Sequence, residues 1–193
     1  DDEFKFLIAV LRLAIPYAGL IVTNRESPEM LRSVIKMCTQ RDADSRVGIG
    51  AYADAFPTDT ETGGGDDQKG ERQQFILGDT RSLDAIIREL AEMGHIVSFC
   101  TAGYRCGRTG KKIMDALASG QEGCFCKLNA ILTFQEWLED FATPETKRIG
   151  DTIIEQEMKE VRERVPADFS EAQLNHLEKA RARILAGERD IYF

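Results

Sequence analysis

Phe4-Lys5-Phe6-Leu7-Ile8-Ala9-Val10-Leu11-Arg12-Leu13-Ala14-Ile15-Pro16, then Gly19-Leu20-Ile21-Val22, then Ser27-Pro28-Glu29, is the stretch that decides the fold class. Phe4, Leu7, Ile8, Leu11 and Ile15 recur at helical spacing, which predicts an amphipathic helix that Pro16 stops. The short apolar run at 19–22, with turn residues on both sides, suits a buried strand. Ser27-Pro28-Glu29 then opens a helix with a hydroxyl cap, a proline at the first helical position and an acid in the first turn. Met30, Leu31, Val34, Ile35 and Cys38 share one face of that helix. A second short strand is expected around Val47-Gly48-Ile49. Helix, strand, helix, strand over residues 4–52 is a β/α unit, the repeat of a parallel sheet or barrel.

Beyond this unit the pattern changes. Residues 57–72, which carry three consecutive glycines, offer no apolar side chain and read as a flexible linker or insert. The remainder reads as mostly helical. Ser82 caps a helix bearing Leu83, Ile86, Ile87 and Leu90, ended by Gly94. Ile96–Phe99 reads as a strand leading into Cys100, and a helix with Ile113, Met114 and Leu117 follows. Thr133-Phe134-Gln135-Glu136 reads as a capping box before Trp137, Leu138 and Phe141. Thr143-Pro144 opens a helix to about Arg164, ended by Pro166. Ser170-Glu171-Ala172-Gln173 is a second capping box, opening a last helix that Gly187 stops. The tail Arg189-Asp190-Ile191-Tyr192-Phe193 is apolar enough that it is expected to dock.

The composition, 42% hydrophobic and 30% charged over 193 residues, is that of an ordinary globular chain. A net charge of -8 argues against a nucleic-acid partner, and no apolar run approaches a membrane span. A chain that opens Asp1-Asp2-Glu3 without Met, its amphipathic pattern starting at once at Phe4, is expected to continue upstream. A missing N-terminus would hide any targeting peptide.

Chemistry concentrates in Phe99-Cys100-Thr101-Ala102-Gly103-Tyr104-Arg105-Cys106-Gly107-Arg108-Thr109-Gly110 and in Cys124-Phe125-Cys126. Thiolates are preferred ligands of iron-sulfur clusters and zinc. Glycines at 103, 107 and 110 let the backbone approach such a group. Against this stands the ordinary behaviour of cysteine as a small buried hydrophobe. His95, after a helix-ending glycine, is expected to satisfy a helix terminus. His176 lies in a charged helix with no spaced partner.

Several stretches then carry a resemblance: Ala14-Ile15-Pro16-Tyr17-Ala18-Gly19, Arg25-Glu26-Ser27-Pro28-Glu29, Gly78-Asp79-Thr80-Arg81-Ser82-Leu83-Asp84, Phe99-Cys100-Thr101-Ala102, Gly107-Arg108-Thr109-Gly110, Asn129-Ala130-Ile131-Leu132-Thr133-Phe134 and the ending Ala186-Gly187-Glu188-Arg189-Asp190-Ile191-Tyr192-Phe193. In order, and over nearly the whole chain apart from 57–72, the sequence resembles the radical S-adenosylmethionine (SAM) tyrosine lyases of the iron-iron hydrogenase maturation (HydG) family, in their C-terminal portion. The resemblance implies an α/β fold: the last β/α units of a radical SAM triosephosphate-isomerase (TIM) barrel over 1–56, the linker at 57–72, and a mostly helical domain over 73–193. That last domain is expected to be of the biotin and thiamin synthesis associated type and to hold an auxiliary iron-sulfur (4Fe-4S) cluster.

The family cleaves tyrosine, releasing p-cresol, and makes CO and cyanide for the hydrogenase. The resemblance therefore implies tyrosine as substrate, hydrogenase maturation proteins as partners, and a cytoplasmic or organelle-matrix location. Residue by residue, the first cluster cysteine of the family falls on Cys100 and the third on Cys126. The second falls on Gly103, which cannot ligate iron, so Cys106 or Cys124 is expected to substitute. Arg25 falls where the family has an arginine near the tyrosine carboxylate. Arg41-Asp42-Ala43-Asp44 stands where the family has an apolar last barrel strand, and charge there is costly to bury. The C-x-x-x-C-x-x-C that binds the SAM-cleaving cluster is absent from these 193 residues, so SAM and a second 4Fe-4S cluster are expected only in a full-length family protein. Two other readings stand beside it: a diverged, non-catalytic module that binds metal or a protein, and a metal-free structural remnant.

Overall fold

A computed structural model describes residues 2–16, 18–43, 78–79, 81–100, 115, 121–165 and 167–193. Helix α1 spans Asp2–Ala14, with acids in its first turn and Arg12 in its last, the arrangement that favours both ends of the helix dipole. Strand β1 is Ile21–Val22. Helix α2 (Pro28–Val34) starts as expected: the Met30 amide donates to Ser27 Oγ at 3.2 Å, and Pro28 takes the position where a missing N–H costs nothing. A 3-10 turn, Ile35–Met37, leads to β2 (Gln40–Arg41), which pairs with β1 in parallel, Ile21 opposite Gln40 and Val22 opposite Arg41. The strand expected at Val47–Ile49 and the linker at 57–72 lie outside the described residues, and of the helix expected around Ile113–Leu117 only Asp115 is described, as helical.

The remaining described elements are helical: α3 (Leu83–Glu92), α4 (Gln121–Asp140), α5 (Pro144–Arg164) and α6 (Glu171–Leu185). The described chain is thus mostly helical with one small parallel sheet. It divides into two compact units between Ile86 and Ile87, inside α3.

In the first unit, Ile8, Val22, Met30, Leu31 and Val34 form the core. Arg12 stitches its loops: Nε donates to the Met37 carbonyl at 2.9 Å and one terminal nitrogen donates to those of Ala18 and Pro16. Ile8 is buried and Leu11 half-buried, but Phe6, Leu7, Val10 and Leu13 of α1 are exposed. Gly78 is the tightest packing point. A Cβ there would come within 2.4 Å of the Glu26 carbonyl oxygen and 2.7 Å of that of Arg25.

In the second unit, α4, α5 and α6 bury Leu128, Ile131, Phe134, Ile154, Val161, Leu177 and Ile184. The capping box at Ser170 forms in full, each partner's side chain bonding the other's backbone. Gly94 and Gly187 end α3 and the last helix with φ of +81° and +102°, a conformation open to glycine at little cost. The tail docks as expected: Ile191 is buried, and the Ile191 and Phe193 amides donate to Glu136 Oε1 and Asn129 Oδ1 at 3.1 and 2.9 Å.

Two expectations are corrected. Thr133 does not cap a helix; it lies inside α4, where its hydroxyl donates to the Asn129 carbonyl at 2.9 Å and helical hydrogen bonding continues through it. Residues 96–99 are not a strand. No described neighbour offers them a ladder, and the Phe99 amide instead donates to Thr133 Oγ1 at 3.2 Å.

Replacing Gly78 by Ala is expected to destabilise the first unit by about 2 kcal/mol, because backbone rather than a mobile side chain must give way. Ser170→Ala, which removes one cap, is expected to cost about 1 kcal/mol. Urea denaturation of the two variants checks both values.

Candidate functional site

The charged segment expected to burden the strand is resolved by a partner that sequence reasoning did not assign. Arg41, in β2, has a side chain only 3% exposed, and its guanidinium meets Asp79, whose side chain is fully buried. The same carboxylate accepts the Arg81 amide at 3.1 Å, Arg81 Nε at 2.9 Å and an Arg81 terminal nitrogen at 2.7 Å. Burial by itself raises the Asp79 pKa. The hydrogen bonds from the Arg81 side chain and backbone, with the charges of Arg81 and Arg41, outweigh it and hold the carboxyl below its ordinary value. Both amides of Gly78 and Asp79 donate to the Asn24 carbonyl, at 2.8 and 3.0 Å. Gly78 and Asp79 are thereby clamped to the turn that carries Arg25.

Arg25 itself is exposed, in the turn that follows β1, where the Glu26 amide donates to the Thr23 carbonyl. A guanidinium there presents the planar fork that suits a carboxylate. Arg25 thus stands in the short connection between β1 and α2.

The cysteines lie in the second unit, except Cys38, whose thiol is pushed up by burial next to the first unit's core. Cys100 is half-buried at the end of the irregular stretch 95–100. Its position is set by the residue before it, since the Phe99 amide is fixed to Thr133 and the Phe99 ring stacks on Trp137 at 5.7 Å. Cys124 and Cys126 are both in α4. Two residues apart on a helix point roughly 200° apart, so they occupy opposite faces.

The helical repeat then sorts them. From Cys126 to Thr133 is two turns, which returns to within roughly 20° of the same direction; from Cys124 to Thr133 is roughly 180°. Cys126, exposed, therefore leaves α4 in nearly the direction of Thr133, whose hydroxyl oxygen accepts the Phe99 amide. Cys124 faces away from it, packs against the core, and its thiol donates to the Asp168 carbonyl at 3.4 Å. Cys106 lies outside the described residues. Among the described residues no three His, Cys, Asp or Glu side chains converge as a metal site. Cys100 and Cys126 carry the thiol chemistry that iron-sulfur clusters prefer, and among the described residues no group of three or more potential ligands includes them.

The histidines have structural surroundings. The His95 backbone amide closes the end of α3 on the Leu90 carbonyl at 2.9 Å, as expected. Its ring Nε2 is buried with no hydrogen-bond partner among the described residues. His176 packs its ring edge on Phe193, centroids 4.7 Å apart, which helps seat the tail.

Asp79→Asn is expected to destabilise the first unit by roughly 3 kcal/mol, since two guanidinium groups lose the carboxylate that neutralises them. The depressed pKa also has a pH signature. Stability from Asp79 is fully present above the unfolded value of about 4 and is lost as pH falls through the folded value. Urea midpoints recorded downward from pH 5 should fall more steeply for the parent chain than for Asp79→Asn.

The model of the biotin and thiamin synthesis associated domain matches residues 1–96. That match overlaps the 73–193 stretch, for which this domain type was expected, only over residues 73–96. No curated protein matches the chain. Among solved structures, the crystal structure of HydG, a maturase of the iron-iron hydrogenase, matches with a TM-score of 0.81 and 38% identity over 100% of this chain. The chain spans 37% of the length of that structure. No described helix is long and apolar enough to cross a membrane. The chain carries the biotin and thiamin synthesis associated domain found in radical SAM enzymes and, over its whole length, is a relative of HydG that corresponds to its C-terminal part.

Proposed function

We propose that this chain serves iron-iron hydrogenase maturation as the C-terminal part of a radical SAM tyrosine lyase, the enzyme that makes CO and cyanide ligands with p-cresol as by-product. The observation that carries this reading is the 38% identity to HydG held over the entire chain. In this reading residues 1–56 complete a TIM barrel supplied by the rest of the protein. The exposed apolar side chains Phe6, Leu7, Val10 and Leu13 of α1, and a sheet of only two described strands, support it, since such a sheet needs further strands or helices for stability. Arg25 would hold the carboxylate of tyrosine through its planar donor fork.

The auxiliary cluster would be held by Cys100 and Cys126, with Cys106 in the role that Gly103 cannot fill. When bound, such a cluster supplies iron sites for the small ligands. Cys124, on the opposite face of α4, would take no part. SAM and its own cluster belong to the full-length protein, because the C-x-x-x-C-x-x-C motif is not in these residues.

Gly103, in place of a family ligand, favours one second reading: a non-catalytic paralogue that uses the region as a metal-binding or protein-interaction module. Anaerobic reconstitution with iron and sulfide tests the cluster. The enzymatic reading expects about four irons per chain and a paramagnetic signal on reduction. Cys126→Ala and Cys106→Ala should each lose them and Cys124→Ala should retain them. Absence of bound iron in the parent chain would reject the cluster and leave the non-catalytic module. Iron lost in Cys124→Ala but kept in Cys126→Ala would overturn the assignment of faces.

A further inference from the structure

The second unit contains a cleft of about 320 Å³ between α4 and the docked tail. Four aromatic rings line it: Phe99, Trp137, Phe141 and Tyr192. Phe99 and Trp137 stack with their planes 15° apart. Phe141, just past the end of α4, is 72% exposed, an aromatic surface left open to solvent. Aromatic faces carry partial negative charge and attract cations.

The polar lining has the same sign. Glu136, Asp140 and Asp190 contribute three carboxylates against the single guanidinium of Arg189. That guanidinium is already engaged. Two of its nitrogens grip Asp140, and the third donates to the Ile184 and Glu188 carbonyls at 3.0 and 2.8 Å. It is therefore poorly placed to receive an anion. It also shows that this surface seats a guanidinium by a bidentate carboxylate grip. Glu136 spends one oxygen on the Ile191 amide. Asp190 sits at φ of +59°, left-handed backbone that Asp and Asn tolerate better than most residues, and is exposed at the cleft.

We propose that this aromatic, acidic cleft is a docking site for an arginine or lysine side chain on a segment of a partner protein. The occupant follows from charge complementarity. The cleft's ionisable lining is net negative, Arg189 is consumed internally, and the whole chain carries a net charge of -8, which steers a basic partner towards it. The inference does not depend on the cysteine cluster.

Trp137 is the one tryptophan of the chain and lines the cleft, so its fluorescence reports occupancy directly. The whole 193-residue chain is titrated with N-acetylarginine amide and, separately, with N-acetylcitrulline amide, which has nearly the same shape but no charge. The expected result is a saturable change with the arginine probe that added salt weakens, and none with the citrulline probe at the same concentrations. Asp190→Asn, which keeps a residue suited to left-handed backbone, and Phe141→Ala, which trims an exposed ring, should each weaken binding about three-fold or more. Their thermal melts should match the parent. An equal response to citrulline, no saturable response to arginine, or unchanged binding in both variants would overturn the proposal.

Discussion

A buried carboxylate must be neutralised where it stands, and in the first unit that requirement falls on Asp79. Its side chain is fully enclosed, and two guanidinium groups from different stretches converge on it. Arg41 brings β2 to Asp79, while the Gly78 and Asp79 amides bind these two residues to the turn after β1. The contact is possible because Gly78 has no side chain: any Cβ would strike the backbone of Arg25 and Glu26. One ion cluster and one glycine thus fix the loop on which Arg25 stands. A positively charged strand residue, costly when considered alone, becomes a fastening once its partner is counted.

The second unit is governed by a helix rather than by an ion. Helix α4 runs unbroken for 20 residues and gives its neighbours faces to choose from. Thr133 marks one face. It accepts the Phe99 amide and so positions Cys100, while its own proton goes back to the helix. Further along α4, Asn129 and Glu136 accept amides of the chain's last residues. The tail is therefore a structural member of this unit, and with α4 it forms the cleft lined by Trp137 and Tyr192. Polar side chains in the middle of a helix, usually a mild liability, here substitute for the strand partners that the stretch 95–100 and the tail lack.

Where the sequence was legible, the reason is local. Ser27-Pro28, Thr143-Pro144 and the Ser170–Gln173 box are helix starts because each side chain satisfies amides two or three residues away, whatever the rest of the chain does. Gly94 and Gly187 end helices for an equally local reason, a positive φ. The same local rule misled at Thr133, whose Thr-Phe-Gln-Glu pattern is that of a cap but whose backbone is already helical. Ile96–Phe99 had the composition of a strand without a described neighbour to pair with.

The sequence by itself determined the starts of α2, α5 and α6, the helix ends at Gly94 and Gly187, the docking of the apolar tail, and a motif order that relates the chain to the HydG family, because each depends on short-range geometry or on residue identity. Tertiary structure alone decided that Arg41 is met by Asp79, that Cys126 rather than Cys124 points from α4 in the direction of Thr133, and that four rings and three carboxylates surround one cleft. These facts join residues tens of positions apart or turn on the helical phase of a segment whose start was misread. Spacing along a chain fixes direction only after the element it belongs to is known, and proximity only after that element has packed.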